Sequence, residues 1–204
     1  MKMKEKKYEI KAIRICFVGD IMAGKTEIIK SFLGLDELSS DRNETKYVLK
    51  NGKEINLILW DTLGNERFRS MALKTIKAAQ GIIIVYEVTR KDSFRNIDLW
   101  LDDIKENLQS PCIVLFGNKI DREKEKWQVS TEEATAYAKR KNLPYFEVSA
   151  KTKQGLNEGF SYIINEAYEK LEIEFKGVNL EKNVDDKKGC VGNKNVNQKK
   201  YGKK

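Results

Sequence analysis

The residues with the clearest chemical role form one block of eight near the start of the chain. They fit the spacing G-x-x-x-x-G-K-[ST] and follow an apolar run at residues 13–18. Glycines in such a turn adopt backbone conformations closed to other residues, so that N–H groups and the start of the following helix point at an anion. The lysine adds a positive charge for the β- and γ-phosphates, and the threonine offers a hydroxyl to Mg²⁺. The pattern therefore predicts a phosphate-binding loop made of Gly19, Asp20, Ile21, Met22, Ala23, Gly24, Lys25 and Thr26.

A second block, Asp61-Thr62-Leu63-Gly64, follows the apolar run 55–60. A carboxylate at the end of a strand can hold Mg²⁺ through water, which makes Asp61 and Thr26 the predicted metal-binding pair. The N–H of Gly64 can approach a terminal phosphate because no Cβ blocks it. Asp-x-x-Gly alone is a common turn, but its place after a strand and downstream of Lys25 favours the metal and phosphate role.

Two further blocks suit recognition of a purine base. Asn118-Lys119-Ile120-Asp121 follows the apolar run 112–116, and the last carboxylate can accept both the N1–H and the exocyclic amine of guanine. Adenine lacks these two neighbouring donors, so a buried carboxylate left unpaired would disfavour it by about 1–3 kcal/mol. The stem of Lys119 can cover the base plane. Ser149-Ala150-Lys151 follows another strand pattern, where a backbone N–H can donate to the guanine carbonyl.

The net charge of +8 is concentrated at the two ends of the 204-residue chain. Residues 1–11 carry +3 and residues 176–204 carry +6, which leaves −1 for the span between them. A face that binds nucleic acid is therefore not expected on the folded part. The basic ends could contact an anionic membrane weakly, at about 1 kcal/mol per basic residue near the surface, although solvated ends are the simpler interpretation.

The cysteine and histidine content limits which catalytic and metal sites the chain can form, and it indicates the redox state of its compartment. The chain has no histidine, which excludes Ser-His-Asp and Cys-His catalysis and His-ligated metal sites. The three cysteines lack C-x-x-C spacing, and an odd count of this kind indicates a reducing compartment. No apolar signal region is visible near the N-terminus, and the apolar run 82–86 is far shorter than the roughly 20 residues of a membrane span. A cytoplasmic protein is expected.

Strand and helix patterns alternate from residue 10 to about residue 175. We predict strands at 10–18, 45–50, 54–60, 81–88, 111–117 and 144–148, and helices at 25–33, 66–79, 92–108, 131–141 and 156–175. The runs 82–86 and 112–116 are apolar without alternation, which is typical of parallel strands covered on both faces. Asn51-Gly52 between two strand patterns predicts a type I′ hairpin. The sequence thus predicts an α/β P-loop NTPase fold: a six-stranded, mostly parallel sheet with one antiparallel strand and helices on both faces.

Several stretches resemble the Ras superfamily of small GTPases, and the Rab family most closely. Residues 60–70, W-D-T-L-G-N-E-R-F-R-S, are similar to the family's W-D-T-A-G-Q-E-R-F-R-S. Residues 81–89 resemble G-I-I-V-V-Y-D-V-T, and residues 96–101 match N-V-x-x-W-L. The resemblance covers about residues 10–172. It implies a domain that binds GTP or GDP with Mg²⁺, answers to effector and exchange-factor proteins, and takes part in vesicle traffic. By the same resemblance, guanine is held by Asn118, Lys119 and Asp121, with Ser149, Ala150 and Lys151 behind them.

The chain departs from this family where catalysis is concerned. The family's catalytic Gln, which orients the attacking water, corresponds to Asn65, whose amide is one methylene shorter. Ile21 and Met22 occupy loop positions that are small in most of the family, and a branched side chain there crowds the space of the water or of an activating arginine. Such an arginine supplies roughly 10³–10⁵ in rate. Slow intrinsic hydrolysis with a poor response to activating proteins is the expected consequence.

The loop 34–44 and the C-terminal region also depart from the family. The loop is several residues shorter than the first switch, and the switch Thr that binds Mg²⁺ has no clear counterpart, because Ser39, Ser40 and Thr45 are poor candidates. A weakened dependence on Mg²⁺ is therefore expected. Cys190 lies fourteen residues from the last residue and is not part of a prenylation box, so contact with endomembranes is expected to be weak and peripheral.

These patterns divide the chain into a basic N-terminal extension (1–9), a small-GTPase G domain (10–175) and a disordered basic tail (176–204), and a monomer is expected. Two functions remain open: a GTP/GDP switch with slow hydrolysis, or a guanine-nucleotide-binding interaction module with negligible turnover. Asn65, Ile21 and the short switch favour the second. An ATP-using P-loop kinase is disfavoured by the guanine motif at 118–121 and by the lack of a lid segment.

Overall fold

A computed structural model describes residues 10–62 and 74–188 of the chain. Its six strands are β1 Ala12–Val18, β2 Arg42–Val48, β3 Glu54–Trp60, β4 Gly81–Glu87, β5 Cys112–Asn118 and β6 Tyr145–Val148. They form one sheet in the order β2-β3-β1-β4-β5-β6, and every neighbouring pair is parallel except β2 and β3. The predicted fold class is confirmed.

Helices connect the strands and cover both faces of the sheet. They are α1 Lys25–Leu33, α2 Lys91–Arg95, α3 Ile97–Asn107, α4 Thr131–Lys141 and α5 Leu156–Lys188, with a short 3₁₀ turn at Lys124–Lys126. Residues 74–77 are also helical, whereas most of the helix predicted at 66–79 lies outside the described residues. Within the described parts of the chain, no helix combines the length and the apolarity needed to cross a bilayer.

The central strands are apolar throughout because a separate core covers each face. Ile83 and Val85 of β4 face a core completed by α1 and α5. Ile82 and Ile84 of the same strand face a second core completed by α2, α3 and α4. Successive side chains of a strand point to opposite faces, so an unbroken apolar run marks a strand buried on both. This double burial fixes where the strands end, and the predicted site residues follow those ends.

Two predicted boundaries were wrong in ways that bear on the site. Strand β2 begins at Arg42, inside the segment predicted as loop, because its backbone pairs with β3 from Arg42 opposite Trp60 although its side chains are charged and polar. The single helix predicted at 92–108 is two helices, α2 and α3, which meet at Asn96. The amide of Asn96 contacts the phosphate-binding loop, which accounts for the break.

The hairpin between β2 and β3 confirms the predicted antiparallel pair but not the predicted turn. A type I′ turn needs positive φ at both central residues, and only Gly52, with φ 80°, has it; Asn51 does not. Gly52 N donates to Leu49 O, and Leu49 N donates to Lys53 O, each at 2.9 Å. Asn51 instead accepts from Lys53 N through its side chain at 3.0 Å.

The last helix has the apolar face that its spacing predicted, and it is longer than expected. Leu156, Phe160, Ile163, Ile164 and Ala167 are all buried in the first core. The helix was predicted to end at residue 175, but its backbone continues to Lys188.

Candidate nucleotide-binding site

The phosphate-binding loop lies between the end of β1 and the start of α1, where the sequence placed it. Gly19 has φ 134° and Gly24 has φ 97°, a conformation that favours glycine. Space requires glycine as well: a Cβ on Gly19 would lie 2.1 Å from Val85 O, and one on Gly24 would lie 2.2 Å from Asn118 Nδ2. The loop is therefore pressed closely against β4 and β5, and α1 begins immediately after it.

Lys25 is the buried cation of this loop, with only 5% of its surface exposed. Its ammonium group donates to Gly19 O at 2.8 Å and to Asp20 O at 2.9 Å. Burial lowers the pKa of Lys25 to about 8, and the carboxylates of Asp61 and Asp20 oppose that shift. A cation that is shielded from solvent interacts strongly with an anion that binds beside it, because the effective dielectric constant there is lower than in water.

Thr26 and Asp61, the predicted metal-binding pair, are in direct contact. Thr26 Oγ1 donates to Asp61 Oδ2 at 2.5 Å. The other oxygen, Asp61 Oδ1, is buried and has no hydrogen-bond partner among the residues that the structure describes. Burial raises the pKa of the Asp61 carboxyl above its ordinary value, although the Thr26 hydrogen bond and the Lys25 charge oppose the shift. A buried, unsatisfied carboxylate oxygen beside a hydroxyl fits the oxygen ligands that Mg²⁺ prefers.

The backbone around Asp61 is fixed by two contacts that sequence reasoning missed. Asp61 N donates to Asp41 O at 2.8 Å, which ties the metal-binding pair to the segment just before β2. Thr62 Oγ1 donates to Phe17 O at 2.6 Å, which ties it to β1. Gly64 and the doubtful catalytic Asn65 lie outside the described residues, so their predicted roles stay predictions.

Asn118 joins three of the four predicted blocks. It is 1% exposed at the end of β5. Its Nδ2 donates to Ala23 O in the phosphate-binding loop at 2.9 Å, and its Oδ1 accepts from Ala150 N at 3.3 Å. One buried amide therefore holds the predicted phosphate, guanine and Ser149-Ala150-Lys151 segments in a fixed relation.

Asp121, the predicted guanine-reading carboxylate, is oriented by Ser149. Ser149 is fully buried, and its hydroxyl donates to Asp121 Oδ1 at 2.7 Å. The same hydroxyl oxygen accepts from Thr152 N at 3.1 Å. Ala150 is half-buried and Lys151 is exposed. The remaining oxygen of Asp121 can then accept hydrogen bonds from a base.

Lys119 is held in an unusual conformation by an ion pair. Its φ is 70°, which is rare for a residue with a side chain, and its ammonium group lies 2.7 Å from Glu87 Oε2 at the end of β4. Thr89 donates to the other oxygen of Glu87. Burial raises the pKa of Glu87, but the hydrogen bonds from Lys119 and Thr89 together lower it more, so it lies below its ordinary value. The ion pair anchors the end of the Lys119 side chain at Glu87.

The outer side of the phosphate-binding loop is reached by side chains from the segment 90–100. Asn96 Nδ2 donates to Asp20 Oδ2 at 2.8 Å, and Trp100 Nε1 donates to Asp20 Oδ1 at 3.2 Å. Arg90 Nη2 donates to Ile21 O at 2.7 Å. Asn96 and Trp100 belong to the stretch 96–101, which was noted only for its resemblance to the family. Arg90 follows β4 at the same sheet edge as the predicted blocks.

The two bulky loop residues, Ile21 and Met22, are 59% and 73% exposed. Ala23 beside them is buried, and Met22 has φ 65°. Their side chains therefore stand at the loop surface and leave the loop interior to backbone groups.

The predicted candidates for the switch Thr do not converge on Asp61. Ser39 and Ser40 are exposed, and the Ser40 hydroxyl donates to Arg42 O at 2.6 Å. Thr45 lies inside β2, opposite Leu57. No described hydrogen bond links any of the three to the metal-binding pair, so the structure supplies no clear replacement among the residues it describes.

The fold and the candidate site together define a P-loop nucleotide-binding domain. The features that define it are the sheet topology, the glycine-framed loop with its lysine, the Thr26–Asp61 pair and the predicted guanine block. The chain belongs to the Ras family, which matches residues 14–169. It is 37% identical over 157 residues to the Ras-related protein RABC2a of Arabidopsis thaliana, covering 73% of this chain and 74% of that protein. It is 36% identical over 166 residues to the Ras-related protein Rab-2B of Dictyostelium discoideum, covering 76% and 80%. It is therefore a small GTPase close to the Rab proteins, as its motifs predicted.

Proposed function

We propose that this protein is a GTP/GDP switch of the Rab type that hydrolyses GTP slowly. The observation that carries the proposal is the position of Asn118, which bonds the phosphate-binding loop at Ala23 and the Ser149-Ala150-Lys151 segment at Ala150. A pocket built around one shared amide would change its guanine and phosphate ends together. Joint recognition of base and phosphates is what selective guanine-nucleotide binding requires, and such binding is the first requirement of a nucleotide switch.

Binding would divide between two ends of the pocket. Asp121, oriented by Ser149, would accept from the guanine N1–H and amine, and the stem of Lys119 would cover the ring. The loop amides and Lys25 would receive the phosphates, and the positive charge would offset phosphate charge in a site of reduced polarity. Exclusion of adenine follows from the unpaired carboxylate that it would leave.

Mg²⁺ fits the Thr26–Asp61 pair, and these residues would hold it. The ion would neutralise charge on the β- and γ-phosphates. The pair accepts it without a larger acidic cluster, since Mg²⁺ usually keeps several waters and takes one or two protein ligands plus phosphate. No group of three or more His, Cys, Asp or Glu side chains suited to a metal is present in the described ranges 10–62 and 74–188.

Slow hydrolysis follows from residue types at two positions. Asn65 in place of Gln would set the water-orienting amide back by about 1 Å, the length lost with one methylene. Ile21, 59% exposed on the loop, would stand where an activating arginine approaches. The second candidate, an interaction module with negligible turnover whose nucleotide is structural, rests on Asn65, Ile21 and the short loop 34–44.

Single-turnover hydrolysis of bound GTP separates these functions. We expect the wild-type protein to copurify with guanine nucleotide, to cleave GTP slowly, and to cleave it at least tenfold faster after Asn65→Gln. Asn107→Gln, at the far end of α3, is the matched control and should leave the rate unchanged. A wild-type rate equal to that of ordinary family members contradicts slow hydrolysis, and no cleavage by either protein favours the interaction module. Firm ATP binding would refute the proposal altogether.

Weakened Mg²⁺ dependence and location are further parts of the proposal. The switch candidates Ser39, Ser40 and Thr45 make no described contact with the metal-binding pair, so EDTA should accelerate GDP release only modestly; a large acceleration contradicts this. We place the protein in the cytoplasm as a monomer, with weak peripheral contact to endomembranes through its basic ends. A role in vesicle traffic, with effector and exchange-factor partners, is proposed from its similarity to Rab-related proteins.

A further inference from the structure

The phosphate-binding loop carries an acidic residue, Asp20, beside the place where an anion would bind. Each of its two carboxylate oxygens is occupied: Asn96 donates to Oδ2 at 2.8 Å and Trp100 donates to Oδ1 at 3.2 Å. Both donors come from the α2–α3 segment, which lies outside the four predicted site blocks. The negative charge is thus partly compensated by two donors, so that it repels a phosphate less than a free carboxylate would.

A third donor from the same segment reaches the next loop residue. Arg90 Nη2 donates to Ile21 O at 2.7 Å. A carbonyl fixed on the outside fixes the plane of its peptide group, and with it the direction of the N–H of the following residue. Two consecutive loop residues are therefore held by three side chains from residues 90–100, in addition to the bonds that Lys25 Nζ and Ala23 N donate to Asp20 O.

Helix α3 is rigid enough to serve as this support. Its inner face is buried in the second core through Ile97, Leu101 and Ile104. On its other side, Asp98 Oδ1 accepts from Tyr137 of α4 at 2.9 Å and from Lys141 at 2.6 Å. Asn96 stands at the break between α2 and α3, with φ −74° and ψ −4°, and its side chain contacts Asp20. Asn96 and Trp100 therefore lie at the N-terminal part of a helix that is fixed to both the sheet and α4.

We propose that Arg90, Asn96 and Trp100 are positioning residues that hold the phosphate-binding loop in its anion-binding shape from outside the pocket. The proposal rests on the GTP/GDP binding proposed above. It implies that loss of these contacts frees the Asp20 carboxylate to turn toward the phosphates and lets the loop amides drift. Nucleotide would then leave faster, while the fold keeps its stability.

A charge swap between Asp20 and Asn96 tests this through the dissociation rate of a fluorescent GDP analogue from the full chain. Asn96→Asp places two carboxylates face to face and should speed dissociation at least tenfold. The double variant Asp20→Asn with Asn96→Asp restores the hydrogen bond with its polarity reversed, and the amide oxygen introduced at position 20 can still accept from Trp100. It should return the rate to within about threefold of wild type.

Two more variants keep the test decisive. Asn107→Ala removes a hydrogen bond to Asp103 O at the far end of α3, away from the loop, so it should leave the dissociation rate unchanged. Trp100→Phe keeps an aromatic ring in the core but removes the N–H donor together with part of the ring volume; it should speed dissociation severalfold, and it serves if Asn96→Asp fails to fold. If the wild-type protein binds no guanine nucleotide, the proposed function fails. If it binds, and Asn96→Asp and Trp100→Phe release GDP at the wild-type rate, only this inference is overturned.

Discussion

Asn118 Nδ2 donates to Ala23 O at 2.9 Å, a bond between residues 95 positions apart. Through this bond the end of β5, which carries the guanine block, rests directly on the phosphate-binding loop. The contact is so close that Gly24 cannot carry a side chain beside it. The two ends of the proposed pocket are therefore directly coupled, so that a change at one end is expected to affect the other.

Asn118→Ala should weaken both ends of the pocket together. It removes a buried donor and leaves Ala23 O and Ala150 N without their described partner, which costs about 1–3 kcal/mol. We expect affinity for GDP and for GTP to fall by tenfold or more, as measured by competition with a fluorescent nucleotide. Asn107→Ala is the matched control, because it also removes one Asn bond to a carbonyl, Asp103 O at 2.8 Å, on the surface of α3. Equal affinities for the two variants would contradict the coupling.

Ser149→Ala should reduce guanine binding through Asp121 rather than by direct contact. The hydroxyl that donates to Asp121 Oδ1 at 2.7 Å fixes the rotamer of the carboxylate. Loss of one such bond is worth about 0.5–1.5 kcal/mol, so GTP affinity should fall roughly two- to tenfold. Ser31→Ala is the control: Ser31 Oγ is buried with no hydrogen-bond partner among the described residues, so its removal should be neutral or stabilising. The prediction is wrong if titration calorimetry shows no difference between the two variants.

Much of this site could be predicted because its residues are local signals at strand ends. The glycine-lysine block follows β1, Asp61 follows β3, Asn118 ends β5 and Ser149 follows β6. Each lies at the carboxyl end of its strand, and parallel strands bring these ends to one edge. The apolar runs that mark those strands are strong because both faces are buried. Local pattern and global topology agree there, so the prediction needed no tertiary contacts.

The contacts that escaped prediction depend on packing between distant segments. Glu87 ends β4 and Arg90 follows it at the same edge. The strand-end rule would have marked both, but no short motif distinguishes them from ordinary polar residues. The start of β2 at Arg42 escaped because an edge strand pairs through its backbone and can carry charged side chains. Asn96 lies at a break in a helical pattern, and its hydrogen-bond partner, Asp20, is 76 residues away in the sequence.

Glu87→Gln should loosen Lys119 and lower nucleotide affinity modestly. The ion pair is only 25% and 15% exposed at its two side chains, so it is screened less than a surface pair. We expect a severalfold loss of GTP affinity, whereas Glu133→Gln, which breaks the more exposed pair with Lys91, should have no effect. Because the pKa of Glu87 is lowered in the folded state, its stabilisation is present above the ordinary value of about 4.5 and is lost as pH falls below it. Acid titration of unfolding should therefore show a smaller loss of stability below that pH in Glu87→Gln than in wild type.

Lys25 makes nucleotide affinity and apo-protein stability respond to alkaline pH in opposite directions. Burial lowers its pKa to about 8 from an ordinary value of 10.5. Between these values the unfolded chain binds more protons than the nucleotide-free protein, so stability without nucleotide should rise with pH. A bound phosphate requires the ammonium form and would raise its pKa again. Above pH 8, binding therefore takes up a proton, and GDP affinity should fall by up to tenfold per pH unit.

The comparison that isolates this effect is wild type against Lys25→Met, with GDP affinity measured from pH 7.5 to 9. The base and the other side chains titrate in both proteins, so the difference in slope belongs to Lys25. Lys25→Met should bind GDP more weakly throughout, with a flatter pH profile, and its nucleotide-free form should lose the alkaline gain in stability. Parallel affinity profiles for the two proteins would show that Lys25 stays charged across this range. Groups other than the Asp61 and Asp20 carboxylates would then also offset the cost of burying its charge.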